Sequence, residues 1–392
     1  MPDISVVRAF LDEKHLEIAA GVEIFAREQI RPLPVPAADD AARVQAREIL
    51  ELLGQGGWSA YAVPADYGGP SRAVALRACC LIREALAAAS PLADAVFALQ
   101  CLGSMPIALA GSEEVRDRWL PEVAAGRAMA AFAMTETEAG SDVASMTTRA
   151  ERDGDGYVLN GRKSLISNAG LADFYTVFAV TQPGAGSRGI SAFVVPSEAP
   201  GLRFLGPQVL SAPHPLGELE FDGCRVPATS RLGSEGEGFK LGMQTLDRLR
   251  ATVAAAACGM ASRALEEALA HVRERRQFGR ALAEFQLTQE KIARMSTDLA
   301  AARLLVYRAA WAADTGADRV TLESAMAKAF ATEAAQRIVD DAVQLLGGGG
   351  MLVDHPVDRL YRAVRALRIY EGTTEIQHLV IAREVLRSAE EG

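Results

Sequence analysis

The hydrophobic pattern of this chain changes period twice, and that change constrains the fold more than any single motif. Residues 1–128 repeat at helical spacing, with Leu11, Ile18, Val22 and Phe25 on one face. The Pro32-Leu33-Pro34-Val35-Pro36 stretch ends that helix. A second helix is predicted to run to the Gly54–Gly57 cluster, with others over 72–89, 92–110 and 112–125. From 129 to 232 the pattern is that of strands, with Phe174–Val180, Ile190–Val195 and Leu216–Phe221 as candidates. Asn160-Gly161, between Tyr157–Leu159 and Lys163–Ile166, predicts a hairpin turn, because both residues tolerate positive φ. Helical spacing returns over 238–275, 284–313, 321–346 and 374–388. The expected fold is α+β: an N-terminal helical domain (1–128), a small middle β domain, barrel or sandwich (129–232), and a C-terminal four-helix bundle (233–392).

Composition narrows the function classes. The 392 residues suffice for two or three domains at roughly 150 residues each. The net charge is −9 and no basic block interrupts it, which argues against nucleic acid as a partner. The five cysteines, Cys79, Cys80, Cys101, Cys224 and Cys258, show neither disulfide-framework nor zinc-ligand spacing. The start has acids and no continuous apolar stretch, and the longest apolar run is placed around Ala251–Cys258, short of the ~20 residues a membrane helix needs. A cytoplasmic chain with no membrane partner is the expectation.

Four segments can carry chemistry. The first, Ala133 to Asp142, joins helices to sheet and offers hydroxyls, a glycine and backbone amides. It suits hydrogen bonds to a polar heterocycle, or it is a polar connection with Ser141 or Asp142 capping a turn. The second, Arg275-Arg276-Gln277-Phe278-Gly279 with Phe285-Gln286, suits a phosphate-bearing ring system, or it is a charge cluster at a helix C-terminus. The third, Gln344-Leu345-Leu346 followed by Gly347–Gly350, lets amides approach a pyrophosphate, or it caps a helix. No strand precedes it, so it is not a GxGxxG fingerprint. The fourth is Ile369 to Gln377. Thr374 and Gln377 have capping-box spacing, which predicts a helix start. Glu371 lies just before it, beside Gly372, where a carboxylate can face a cavity or simply meet the helix dipole. As a base it needs a pKa above the ~4.3 of free Glu, which a desolvated pocket supplies.

Taken together these segments resemble the acyl-CoA dehydrogenase family over essentially the whole chain. Met134–Asp142 looks like one signature of the family. Gln344–Arg362 looks like a second, and Ile369–Gln377 resembles the loop of its catalytic glutamate. Supporting echoes at Val63–Gly69, Glu220–Pro227, Gly233–Lys240 and Arg275–Gly279 fall in family order. The resemblance implies FAD and α,β-dehydrogenation of an acyl thioester. Glu371 would remove the α-proton while flavin N5 takes the β-hydride, and the amide of the glutamate would help hold the thioester carbonyl. Phe132, Met134, Thr135, Gly140 and Ser141 would border the flavin, with Ile166 alongside and Ser167 near N5. Arg275, Phe278 and Gln286 would hold the pyrophosphate and adenosine side from a neighbouring subunit, with Gln344, Gly347 and Gly348 completing the cradle. Thr373 and Glu375 would lie on the cofactor side of the base. Ser141, Asp247, Arg250, Gly372 and Arg383 would be substrate-side positions. Some members take the base from just before the counterpart of Arg250; here that residue is Leu249, which favours Glu371. An electron-transfer flavoprotein and a homo-oligomer, tetramer before dimer, are the further partners implied.

Three departures from the family pattern stand out. Leu165 replaces an aromatic residue that packs on the flavin. Gln208 to His214 replaces a stretch with two basic positions, and Ala363 replaces an acid. These motivate a hypothesis that the substrate is not a plain fatty acyl-CoA, for example an acyl-carrier-protein thioester; the alternative is a neutral loop variation in an enzyme that takes acyl-CoA. Two other readings compete: an oxygen-using flavoenzyme of the same fold, of the nitroalkane-oxidase or flavin-hydroxylase kind, and a non-catalytic helical partner. Glu371 and the retained cofactor segments argue against both.

Overall fold

The computed structural model describes residues 4–317 and 319–391; Met1 to Asp3, Asp318 and Gly392 lie outside it. The helices before the sheet are α1 (Glu13–Phe25), α2 (Asp39–Gln55), α3 (Leu76–Ala89), α4 (Pro91–Ala110) and α5 (Glu113–Ala124). The strands are β1 (Ala130–Ala133), β2 (Arg149–Asp153), β3 (Gly156–Ser167), β4 (Phe174–Val180), β5 (Ile190–Pro196), β6 (Leu202–Pro207), β7 (Leu216–Pro227) and β8 (Arg231–Leu232). There follow α6 (Gly238–Glu274), the short pair β9 (Arg276–Gln277) and β10 (Arg280–Ala281), then α7 (Gln286–Asp314), α8 (Thr321–Leu346), α9 (Pro356–Leu367) and α10 (Thr374–Glu391). The chain divides into two compact units, one of residues 1–33, 76–94 and 247–392, the other of residues 34–75 and 95–246.

The first unit is helical. Every residue of α3 from Leu76 to Ala87 is buried, which only a central helix can sustain. Its polar members are therefore paired. Arg83 forks onto Asp94 at 2.7 and 2.9 Å and donates to Thr252 Oγ1 at 2.9 Å. Glu84 accepts from Arg303 at 2.7 Å and from Tyr307 at 2.8 Å, so α3 is bonded to α6 and α7. The four long C-terminal helices are present, and α9 is a fifth that the sequence reading passed over. Its signal was there: Pro356 at the first helical position behind a His355 cap, whose side chain accepts from Val357 N.

The second unit is built on one mixed eight-stranded sheet, in the order β6-β7-β3-β2-β4-β5-β8 with β1 parallel to β4. Its core holds Leu159, Val177, Phe193, Val195, Leu219 and Phe221. Two expectations need correction here. Asn160-Gly161 is not a hairpin turn. β3 runs straight through it for 12 residues, and the register against β7 slips between Leu159 and Gly161. The pair forms a bulge, because β7 continues opposite it; the hairpin lies earlier, where Asp153 pairs with Gly156 across Gly154-Asp155. Nor does every apolar stretch fall short of membrane-spanning length, as the run around Ala251–Cys258 leads one to expect. Pro91–Ala110 has mean hydropathy 1.6 and is long enough to cross a membrane, but 78% of that window is buried within the protein.

The bulge explains one glycine. Gly161 has φ 145°, and a Cβ there would sit 2.7 Å from the Thr148 Cα. Gly161→Ala is expected to cost about 2 kcal/mol or more, from strain and overpacking together. The control is Gly154→Ala, also at positive φ but with nothing within 4 Å. Denaturant midpoints of the two variants check this; equal losses would mean the close approach at 161 is harmless.

Candidate active site

In the helical unit, the loop between α9 and α10 carries Glu371 with φ 55° and Gly372 with φ 94°. Four side chains hold it. Arg250 Nε donates to the Glu371 carbonyl at 3.2 Å, and Gln377 Nε2 to the carbonyls of Glu371 and Gly372 at 3.3 and 3.0 Å. Lys328 Nζ donates to the Gly372 carbonyl at 2.6 Å. Thr374 Oγ1 donates to Glu333, which also accepts from Arg368. A Cβ on Gly372 would lie 2.5 Å from Gln377 Nε2, so glycine is needed twice over, for φ and for room. The capping residue of α10 is Thr373, whose hydroxyl accepts from Ile376 N at 3.3 Å. The Thr374–Gln377 box expected from sequence does not form, because Gln377 is turned back onto the loop.

The Glu371 carboxylate is the unusual group. Its Oε2 is buried and has no hydrogen-bond partner. Burial raises its pKa above the ordinary carboxylate value, and this outweighs the opposing pull of Arg83, Lys328 and Arg250. Two of those cations have their own carboxylates: Arg83 has Asp94, and Arg250 contacts Asp247, which also accepts from Thr321 at 2.8 Å. Lys328 is fully buried, makes no ion pair among the described residues, and is pushed down to about 8 by burial. Arg83, Asp94 and Lys328 were not anticipated; no local spacing links them to Glu371.

Of the other residues named from sequence in this unit, Arg383 is exposed beside Glu384. Glu375 is exposed too, on the first turn of α10. Arg275, Phe278 and Gln286 cluster around the β9–β10 hairpin and are exposed, Phe278 at 94%. Phe278 and Gly279 make the turn, both at positive φ. Gln344, Gly347 and Gly348 lie exposed at the end of α8, and a Cβ on Gly347, Gly348 or Gly349 would meet nothing within 4 Å.

In the sheet unit, Phe132 packs on Phe178 with ring centroids 4.9 Å apart. Thr135 and Ser167 are half-buried, while Gly140 and Ser141 are exposed. Met134 and Ile166 are buried side chains, so only their backbone is free to meet a ligand. The Ala133–Asp142 loop is fixed by a buried ion pair. Lys163 Nζ reaches Glu136 Oε1 at 2.9 Å and the Met134 carbonyl at 3.0 Å. Glu136 also accepts from Thr147 N, Thr147 Oγ1 and Thr148 N at 2.7 to 2.9 Å. Burial opposes charge on Glu136, but Lys163 and these donors hold it down at about 2. Thr135 O accepts from Ser164 N at 3.0 Å, which joins the loop to the end of β3.

Comparison with known proteins settles the family. Models of the acyl-CoA dehydrogenase N-terminal, middle and C-terminal domains match residues 12–127, 131–224 and 236–386. The chain belongs to the acyl-CoA dehydrogenase family. Its members are oxidoreductases acting on CH–CH groups. A probable acyl-CoA dehydrogenase, FadE25 of Mycobacterium tuberculosis, is 40% identical over 380 residues, 96% of each chain. A chain in the solved electron transferring flavoprotein of Acidaminococcus fermentans matches with TM-score 0.92 and 36% identity, over 96% of this chain and 99% of that one. A glutaryl-CoA dehydrogenase from Mycobacterium smegmatis, solved with FADH2, matches with TM-score 0.86 and 30% identity over 96% of each.

Removing one partner of a buried pair leaves a bare charge. Lys163→Met is therefore expected to cost about 3–5 kcal/mol of stability. The wild type should lose the Glu136 contribution as pH falls from about 4.5 towards about 2, since that carboxylate titrates lower when folded. In the variant this acid window should close. Denaturant unfolding at pH 7 and pH 3 tests both parts.

Proposed function

We propose that this protein catalyses FAD-dependent α,β-dehydrogenation of an acyl thioester, with Glu371 as the α-proton base. The observation that carries the reading is the buried, unpartnered Oε2 of Glu371 on a loop braced by Arg250, Gln377 and Lys328. A carboxylate with a raised pKa and a free lone pair is what removal of a weakly acidic α-proton requires.

The residues present fit a flavin dinucleotide. The Gly347–Gly349 run leaves room for close approach of a pyrophosphate. Arg275 has no ion-pair partner among the described residues and is free to meet phosphate. Thr135 and Ser167 supply hydroxyls, and the Gly140-Ser141 segment is exposed. FAD, when bound, would supply the hydride acceptor. Gln344, Gly347 and Gly348, with Arg275, Phe278 and Gln286, are assigned to its phosphate and adenosine side. Phe132, Met134, Thr135 and Ile166 are assigned to the flavin side, the second and last through backbone.

Glu371 then takes the α-proton, and its protonated form is tolerated because the site is desolvated. The backbone amide of Glu371 is assigned to the thioester carbonyl, with the loop bracing keeping it oriented. Asp247, Arg250 and Gly372 keep this loop in register on the substrate side, and Thr373 starts α10 behind it. The substrate is read as an acyl-CoA, in line with the named relatives. An electron-transferring flavoprotein is the expected electron acceptor.

The test is an anaerobic titration of the flavin band with acyl-CoAs of varied length and branching, then with the same acyl groups on a carrier protein. Bleaching by CoA esters supports the reading; bleaching by the carrier form alone would reassign the thioester. No bleaching with either, in a protein that holds FAD, would sink it. Glu371→Gln should keep FAD and lose flavin reduction by at least ~100-fold. Lys328→Met should move the acid limb of flavin reduction upward by about one pH unit, because a cation that favours ionised Glu371 is gone. Lys328→Arg should restore most of that shift, and an unmoved limb in the Met variant would refute the coupling.

A further inference from the structure

The segment that departs from the family pattern, Gln208 to His214, is tied to the end of β3 by its first and last residues. Gln208 Oε1 accepts from Leu165 N at 2.7 Å, and Gln208 Nε2 donates to Ser164 Oγ at 2.9 Å. His214 Nε2 lies 2.7 Å from Ser167 Oγ. Asn168 N donates to the Pro215 carbonyl at 2.8 Å. The register is locked from the side by Arg43 of α2. Its guanidinium donates to Ala169 O at 2.8 Å and to Leu216 O at 2.9 Å, just beyond the two partners. Leu165 and Asn168 both sit at positive φ, so this end of β3 is strained and held in place by these bonds.

We propose that His214 is a positioning residue for the Ser167 hydroxyl, setting the hydrogen bond that this hydroxyl offers to the redox-active edge of the flavin. The inference rests on the flavin assignment made above. The charged groups facing His214 are Asp39 and Arg43; burial, reinforced by Arg43, outweighs the opposing pull of Asp39 and lowers its pKa to about 4. The imidazole is therefore neutral at working pH, with one ring donor and one ring acceptor. Opposite it, the hydroxyl has one proton and two lone pairs. When Nε2 carries its proton, it donates to Oγ, and the hydroxyl proton is free to point at an acceptor. When Nε2 is bare, it accepts the hydroxyl proton, and Oγ is free to receive a donor. Oxidised flavin presents an acceptor at N5, and reduced flavin presents an N–H there. The pair can satisfy either state, whereas a lone serine facing the reduced form would leave its own proton without a partner.

The consequence is a readout independent of substrate. His214→Leu should weaken reduced flavin relative to oxidised flavin about tenfold, which is about 30 mV lower in midpoint potential for a two-electron couple. His214→Gln, with a donor and an acceptor, should stay within about threefold of the wild type. In a Ser167→Ala background the Leu replacement should shift nothing further. The measurement is a spectroelectrochemical titration of the FAD-loaded proteins without any thioester, with thermal unfolding as the check on folding. An unchanged midpoint in His214→Leu, or an equal shift when Ser167 is already absent, overturns the proposal. Should the Leu variant not fold, His214→Ala takes its place with the same expectations: an unchanged midpoint, or an equal shift when Ser167 is already absent, overturns the proposal. A wild type that holds FAD yet is not reduced by acyl thioesters refutes the proposed function and leaves this inference standing. A normal acyl-thioester reductive titration with a midpoint indifferent to His214 does the reverse. A wild type that holds no FAD overturns both.

Discussion

A charge taken out of water must find a partner or give up its proton, and this chain buries many charges. Arg83 has Asp94, Arg303 has Glu84, and Lys163 has Glu136, each pair at about hydrogen-bond distance. These pairs bond helix to helix and, at Glu136, loop to strand. Glu371 and Lys328 break the pattern together. One has an oxygen with no donor, the other an ammonium with a carbonyl and no carboxylate. Each answers the missing partner by moving its pKa towards neutrality, up for the acid and down for the base. A proton-accepting group in a dry place is the outcome of that arrangement, rather than an addition to it.

Backbone strain follows the same map. Among the described residues, four that are not glycine have positive φ: Leu165, Asn168, Phe278 and Glu371. All four lie in segments assigned to cofactor or base. Such a residue costs about 1–3 kcal/mol and persists only where its surroundings over-determine it. Those surroundings can be named. Gln208 holds Leu165, the Pro215 carbonyl and the Ala130 carbonyl hold Asn168, and Arg250 with Gln377 holds Glu371. Phe278 is different, because the tight β9–β10 turn imposes its conformation, and its exposed ring meets Phe285 edge-on at 6.2 Å.

The sequence showed the fold where the signal was local and failed where it depended on a distant strand or charge. Long helices with a periodic face were read to within a few residues, since period and terminators lie in the same window. Asn160-Gly161 was misread because turn chemistry and bulge chemistry are the same chemistry; only the continuation of β7 opposite decides between them. β6 was missed because its residues are mostly exposed and show no clean alternation. Thr374 and Gln377 had the spacing of a cap, but a better acceptor for Gln377 lay in the preceding loop. The loop of Glu371 was legible from its motif, yet what makes its carboxylate unusual was not. Arg83 is 288 residues earlier in the chain and Lys328 is 43 earlier, and no spacing rule reaches that far.

The Gln208–His214 segment is anchored at its two ends rather than hung free. If it were a freely varying loop, its side chains would face water and touch nothing specific. Val209 does so, being 70% exposed. Gln208 and His214 instead carry hydrogen bonds to Ser164, Leu165 and Ser167. His214 brings a half-buried, neutral imidazole to this corner. Arg43 brings a guanidinium to the same corner from a different helix, and Asp39 at 2.6 Å balances it. The corner thus pairs its cation with a carboxylate, while the bonds of Gln208 and His214 run between neutral donors and acceptors. A segment bonded at both ends in this way fixes the end of β3, which a free surface loop does not do.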